Sequence, residues 1–451
     1  MSNSDMVGEL RAEYTEKTPR SREVWEENRR GLLDGVGSQP RYVEPYPLAV
    51  DGANGSRIRD VDGNEYLDVF NCFGGVSMLG HAPAAVKRAF EQRLDEGFVY
   101  GHPYSAQIEY VNAIKDRFPA IERLRLANSG TEAILNAIRL ARSYTNRDKI
   151  IKMEGSYHGS ADEVFVSTLP SVDDAGPADA PVSRPDGAGV PAGVLADTLV
   201  APFNDAAALE ALLTEHENEV AAVVVEPVAL YGTLAKPADD YFQHVRSLTE
   251  AHGAVFILDE VKTGCRIAYG GGCEYYEIEP DLVALGKAIS GGVPAGAFGG
   301  STEIMREMSF QGDGRGRTEN VGTYNANPLL VHSGLACLDE LTPAVYERLE
   351  AFSAQICEAV SEIVADEGIT ATVQHVPALG YIHFGIDADV TEYRSASQQD
   401  SHAALAYWFA AVNEGLLPPP KTGAWYLTAA HTAEDVDEIV EANKAAIARV
   451  G

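Results

Sequence analysis

Three short apolar runs in this chain end in groups able to do chemistry. Val220–Val225 is followed by Glu226, Val255–Leu258 by Asp259, and Leu282–Leu285 by Gly286 and Lys287. A fourth run, Arg123–Ala127, is followed by Asn128, Ser129, Gly130 and Thr131. A lysine amine, ordinarily protonated below about pH 10.4, can form a Schiff base with an aldehyde once burial or nearby positive charge favours its neutral form. An aspartate can keep a pyridine nitrogen protonated and so make the ring an electron sink. Small hydroxyl residues and a glycine opening a helix leave free backbone N–H groups at the positive end of its dipole, which is a seat for phosphate. Taken singly, each has a plainer reading: Ser129 as an N-cap, Asp259 as an ion-pair partner, Lys287 as a surface cation, Glu226 as a cap before Pro227. Taken together, they match one small molecule that carries a phosphate, a pyridine and an aldehyde, pyridoxal 5′-phosphate.

The elements that must position these groups can be read from the pattern. Lys149–Met153, Val220–Val225, Val255–Leu258 and Leu282–Leu285 are short and β-branched-rich, the last three continuously apolar, as strands buried on both faces are. Helical patterns at Ser105–Phe118, Thr131–Tyr144, Ala206–His216 and Tyr241–His252 alternate with them. The expectation is an α/β fold with a mostly parallel sheet, whose ligands gather outside the carboxyl ends of the strands. Before it lies a hairpin, with the turn Asp62-Gly63-Asn64 between Gly55–Asp60 and Glu65–Phe70. After Pro328 a helix over Leu329–Leu341 leads into a smaller α+β region. The expected division is an N-terminal segment and part of a small domain at 1–103, a large cofactor-binding domain at 104–330, and a C-terminal small domain at 331–451. The Pro-, Gly- and Asp-rich stretch Ser167–Asp197 reads as a surface loop or a mobile lid.

Composition narrows the function classes. The 451 residues are 45% hydrophobic, ample for a core, and carry a formal net charge of −32. Such a surface repels phosphate backbones and anionic lipid, so partners are expected among small molecules rather than nucleic acid or membrane. Only 10 lysines are present, and the acidic, lysine-poor balance suits either a high-salt cytoplasm or a GC-rich genome. Five cysteines with no C-x-x-C pair argue against a disulfide framework or a structural zinc site, and the histidines show no metal-ligand spacing, so no metal is expected. The polar amino terminus does not resemble a signal peptide and no apolar run is long enough to span a membrane, which points to the cytoplasm. A dinucleotide fold would need G-x-G-x-x-G between strand and helix, whereas Gly312, Gly314 and Gly316 fall in a polar loop. Lys262 lies beside the aspartate motif but lacks the glycine-flanked setting of Lys287.

Five motifs in order carry a resemblance: NSGTEA at 128–133, GSYHG at 155–159, LDEV at 258–261, ALGKAISGGVPAGAFGG at 284–300 and GTYNANP at 322–328. They resemble those of the class III, pyridoxal-phosphate-dependent aminotransferases, nearest to the glutamate-1-semialdehyde aminomutase branch, and the resemblance covers nearly the whole chain. It implies fold type I and a homodimer whose active sites are shared between subunits. It also implies that Lys287 holds the cofactor and moves the substrate proton, and that Asp259 pairs with the pyridine nitrogen. Val261 would pack on one ring face and Tyr157 on the other, with His158 beside it. Ser129, Gly130 and Thr131 would cup the phosphate, Thr323 would reach it from the partner subunit, and Glu226 would lie near the ring hydroxyl.

For the substrate, the resemblance places Arg41 on a carboxylate, a task that suits a planar guanidinium, and Phe73 in the pocket where aminomutases carry a tryptophan. Aligned on His431, Gly423 stands where aminomutases carry a glutamate. The leading expectation is therefore an aminotransferase that moves an amino group from an amino acid, a β- or other non-standard one included, to a keto acid. The alternatives are an aminomutase-type isomerase or an ammonia lyase on the same scaffold.

Overall fold

The computed structural model describes residues 3–71, 75–311 and 318–451. The chain forms two compact units, one of residues 1–84, 347–389 and 398–451, the other of 85–346 and 390–397. The site-bearing unit is built on seven strands: β1 (Arg123–Ala127), β2 (Lys149–Met153), β3 (Thr198–Ala201), β4 (Val220–Val225), β5 (Val255–Asp259), β6 (Leu282–Gly286) and β7 (Gly296–Gly300). Their order across the sheet is β1-β7-β6-β5-β4-β2-β3. The pairs β6–β5, β5–β4, β4–β2 and β2–β3 are parallel, and β7 runs antiparallel to both its neighbours. Every residue of β4, β5, β6 and β7 is buried, which is why β4, β5 and β6 read as continuous apolar runs.

Strand β7 is where the sequence reading falls short. The glycine-rich GAFGG is assigned to no strand from sequence, yet it is an interior strand of the sheet. Its neighbours explain the composition. A Cβ at Gly296 would lie 2.1 Å from the Ser129 carbonyl oxygen, and one at Gly300 2.1 Å from that of Asp281. Only a strand without side chains at these positions fits between β1 and β6.

Helix α1 (Gly130–Thr145) lies across the sheet. Its buried positions Ala133, Ile134, Ala137, Ile138, Leu140 and Ala141 repeat at helical spacing and join Ile150, Val224, Ile257 and Phe298 in one core. Burying each of the larger side chains is worth about 1.5–3 kcal/mol. The helix opens at Ser129, whose Oγ accepts the Glu132 N–H at 3.1 Å, and closes at Asn146, in the left-handed region at φ 55°. Ser167–Asp197 is laced rather than open. The Thr168 N–H donates to the Asp186 carboxylate at 3.0 and 3.1 Å, the Val182 N–H to Ala175 O at 2.8 Å, and Tyr393 Oη to Pro170 O at 2.6 Å. The stretch ends in the short helix Ala192–Asp197, leading into β3.

The other unit holds the hairpin Arg57–Asp60 with Glu65–Asp68, in a sheet completed by Val50–Asn54 and Leu416–Leu417. A three-stranded sheet of Ala371–Val376, Leu379–Phe384 and Trp425–Tyr426 and the helices Ser401–Asn413 and Ala433–Ala448 complete it. Among the described residues no helix is long and apolar enough to cross a membrane.

Candidate active site

Because β6, β5, β4 and β2 run parallel, their carboxyl ends share one sheet edge. Asp259 ends β5, Glu226 follows β4 and Lys287 follows β6. Val261 shows how tightly the ends converge. A Cβ on Gly130 would sit 2.7 Å from Val261 Cγ1, and one on Gly286 3.2 Å from the same methyl and 3.5 Å from Gly130 Cα. The start of α1, the residue after the Asp259–Glu260 pair and the residue before Lys287 are thus in van der Waals contact, and larger side chains would drive them apart. The turn after β2 joins them: a Cβ on Gly159, at φ 98°, would lie 2.5 Å from Thr131 Oγ1.

Asp259 is buried and held through both oxygens. Oδ1 accepts the Val261 N–H at 2.9 Å, and Oδ2 lies 2.7 Å from His158 Nδ1. A carboxylate offers only acceptors, so His158 carries its proton on Nδ1 and donates it. Burial pulls the His158 pKa below its ordinary value, with Asp259 opposing. From sequence His158 was expected only beside Tyr157; the structure makes it the partner of Asp259. Tyr157 is partly exposed and stacks on Tyr231, with ring centroids 5.0 Å apart and planes at 22°. Tyr231 was not singled out from sequence. Its signal was an aromatic five residues beyond Glu226, in the loop that follows a strand end.

Lys287 opens a short turn, Lys287–Ser290, in the left-handed region at φ 43°, a strained setting for a residue with a Cβ. Burial, then the positive charge of Lys262, lowers its pKa to about 8, with Asp259 and Glu226 opposing and Arg266 adding to the fall. Glu226 is buried and its Oε2 has no hydrogen-bond partner among the described residues. Burial, then Asp259, raises its pKa to about 8. Lys262, set aside in the sequence reading, is drawn into the same group: Nζ donates to Leu230 O at 2.7 Å, and burial lowers its pKa to about 8. Lys152 is fully buried in β2, donating to the Ser156 carbonyl at 2.8 Å and to the Val166 carbonyl. Its sequence signal was a lysine flanked by Ile151 and Met153 within a short strand.

At the phosphate seat Ser129 caps α1, so the plainer reading of that residue also holds. Its hydroxyl proton and the first N–H groups of the helix, Gly130 and Thr131, are not needed by intrahelical bonds. Thr323 is exposed and lines a cavity of about 300 Å³ with Tyr100, Tyr104 and Asn325, whose Oδ1 accepts from Asn128 Nδ2 at 2.8 Å. Arg41 lies in the other unit, exposed at the end of the turn Gln39–Arg41. Phe73 lies outside the described residues.

These groups fit pyridoxal phosphate: a fixed buried acid that would face a ring nitrogen, a buried carboxyl with a bare oxygen, an amine with its pKa lowered, and a helix start with free N–H groups and small hydroxyl side chains. Residues 38–435 match the class-III aminotransferase family, and the chain belongs to it. Its fold is fold type I and its cofactor is pyridoxal 5′-phosphate. More particularly, the chain is 36% identical to a glutamate-1-semialdehyde 2,1-aminomutase of Archaeoglobus fulgidus, over 94% of this chain and 99% of that one. Among solved structures it is similar to an omega-transaminase from Sphaerobacter thermophilus, with TM-score 0.91, 32% identity, and 95% and 97% of the two chains covered. It is also similar to a glutamate-1-semialdehyde aminomutase from Pseudomonas aeruginosa, with TM-score 0.89, 26% identity, and 100% and 98% covered.

Proposed function

We propose that the protein relocates an amino group between neighbouring carbons of one carboxylate-bearing molecule, as a glutamate-1-semialdehyde 2,1-aminomutase-type isomerase. The observation that carries this reading is the end-to-end similarity to the Archaeoglobus aminomutase. It reverses the order of the two readings drawn from sequence, where intermolecular transfer came first. Pyridoxal phosphate, when bound, supplies an aldehyde that accepts the substrate amine and a pyridinium ring that draws off the electron pair left when a C–H bond breaks.

The chain's residues divide the remaining work. Asp259, oriented by Val261 N–H and His158 Nδ1–H, holds a proton on the ring nitrogen. Lys287 Nζ would hold the cofactor and, with its amine free, would move the proton between the amine-bearing carbon of the substrate and the cofactor. Its lowered pKa keeps a usable fraction of the amine neutral near pH 7. Gly130 and Thr131 N–H and the Ser129 hydroxyl would bind the phosphate, Val261 and Tyr157 would lie on the two ring faces, and Glu226 would lie near the ring hydroxyl. Thr323 acts on the phosphate of a second copy, in a homodimer. Arg41 binds the substrate carboxylate and Phe73 lines the pocket.

One observation favours the second reading, an aminotransferase. Gly423, at the aminomutase glutamate position, is closed to any side chain: a Cβ would lie 2.7 Å from both Ile382 Cβ and Ile382 O. The test is the need for a second substrate. An isomerase converts glutamate 1-semialdehyde to 5-aminolevulinate with no added keto acid. Turnover of amino donors only when pyruvate or 2-oxoglutarate is supplied would make it an aminotransferase, and ammonia release with neither would make it a lyase.

A further inference from the structure

We propose that Lys262 is a positioning residue of this active site, setting a second positive charge beside Lys287 and tying down the loop that carries Tyr231. The inference rests on the reading of the strand edge as the pyridoxal phosphate site. Lys262 directly follows Val261, whose methyls touch Gly130 and Gly286, so its backbone is fixed where three strand ends meet. Its side chain reaches the loop after β4, where Nζ donates to Leu230 O at 2.7 Å. That loop is pinched by the exchange of backbone bonds between Ala229 and Ala235 at 3.1 and 3.0 Å. The residue after Leu230 is Tyr231, whose ring stacks on Tyr157. One ammonium therefore joins the segment after Asp259 to the loop after Glu226 and, through Tyr231, to the turn bearing Tyr157 and His158.

The charge has a second consequence. The charged groups facing Lys287 are Lys262 and Arg266 on one side of the balance and Asp259 and Glu226 on the other. Those facing Lys262 are Glu226 and Arg266. Asp259, and Glu226 once it ionises, would by themselves favour the Lys287 ammonium, which cannot attack an aldehyde. A cation at 262 opposes them and favours the free amine. A methionine would fill the same volume without the charge or the donor, so packing alone does not call for lysine here.

The test uses apo protein, stripped of cofactor with hydroxylamine. It is mixed with pyridoxal phosphate from about pH 6.5 to about pH 10, and the growth of visible absorbance is followed; the rate rises with the neutral fraction of the Lys287 amine. Lys262→Met is expected to move the midpoint up by about half a pH unit or more, and Lys262→Arg, charged at every pH used, to leave it in place or move it down. Hydrogen exchange over residues 226–233 should quicken in Lys262→Met. An unmoved midpoint in Lys262→Met overturns the proposal, as does an equal shift in Lys262→Arg, which would make the effect one of packing. If Lys262→Met does not fold, Lys262→Gln runs the same comparison. A wild-type chain that takes up no cofactor refutes the underlying reading; uptake at Lys287 with an unmoved Lys262→Met midpoint refutes this inference alone.

Discussion

At the scale of single residues, the site depends on charged groups kept where water is scarce. Asp259 is fixed by a backbone N–H and a histidine, so Asp259→Asn should keep the fold and lose the proton-holding charge. We expect a fall in turnover of about 10²-fold or more, against a smaller loss for His158→Gln, measured under saturating cofactor. Lys152 offers a stability test with a defined sign. Its pKa is lowered from 10.5 to about 8 by burial. Between those values the unfolded chain binds a proton that the folded chain does not, so the wild type gains stability as pH rises through that window. Lys152→Met lacks this dependence, so wild-type stability relative to the variant should climb by up to about 3 kcal/mol from pH 8 to pH 10.5 in denaturant titrations. A constant difference would show that burial does not lower the Lys152 pKa. Chemistry at this scale was the most legible part of the sequence. Glu226, Asp259 and Lys287 could be found because each directly follows an apolar strand. The His158–Asp259 bond could not, because it joins residues 101 positions apart and no local pattern encodes it.

At the scale of elements, what positions the site is the absence of side chains. The contact of Gly130 with Val261 sets how close α1 comes to the end of β5. Gly130→Ala should weaken cofactor binding by about 10-fold or more, although alanine is the better helix former, and Val261→Ala in the same chain should recover much of it. Equal binding by Gly130→Ala and wild type would mean that the approach is not limiting. The parallel strands and α1 were legible because buried strands are continuously apolar and the helix repeats its apolar face. Strand β7 was hidden: glycine disfavours strands in isolation, and the crowding by Ser129 and Asp281 that demands it exists only in the assembled sheet. Lys262 was passed over for the same reason, since its partner Leu230 lies 32 residues away.

At the scale of the whole molecule, a net charge of −32 on 451 residues pushes the surface against itself. Screening shortens that repulsion from about 10 Å at 0.1 M salt to about 3 Å at 1 M. Thermal stability should therefore rise by several degrees as potassium chloride increases over that range; a midpoint that falls or stays level would show that surface pairs outweigh self-repulsion. The family and fold follow from the order of motifs along the chain, while the choice between isomerisation and transfer turns on residues such as Arg41, Phe73 and Gly423, which are scattered in sequence and given a substrate role only by resemblance.

The central claim is that Lys287, and neither Lys262 nor Lys152, carries the cofactor. Borohydride reduction of the cofactor-loaded protein followed by peptide mass spectrometry reads this directly. The phosphopyridoxyl mass should fall on Lys287 and vanish in Lys287→Ala; its recovery on another lysine, or on none, would contradict the account.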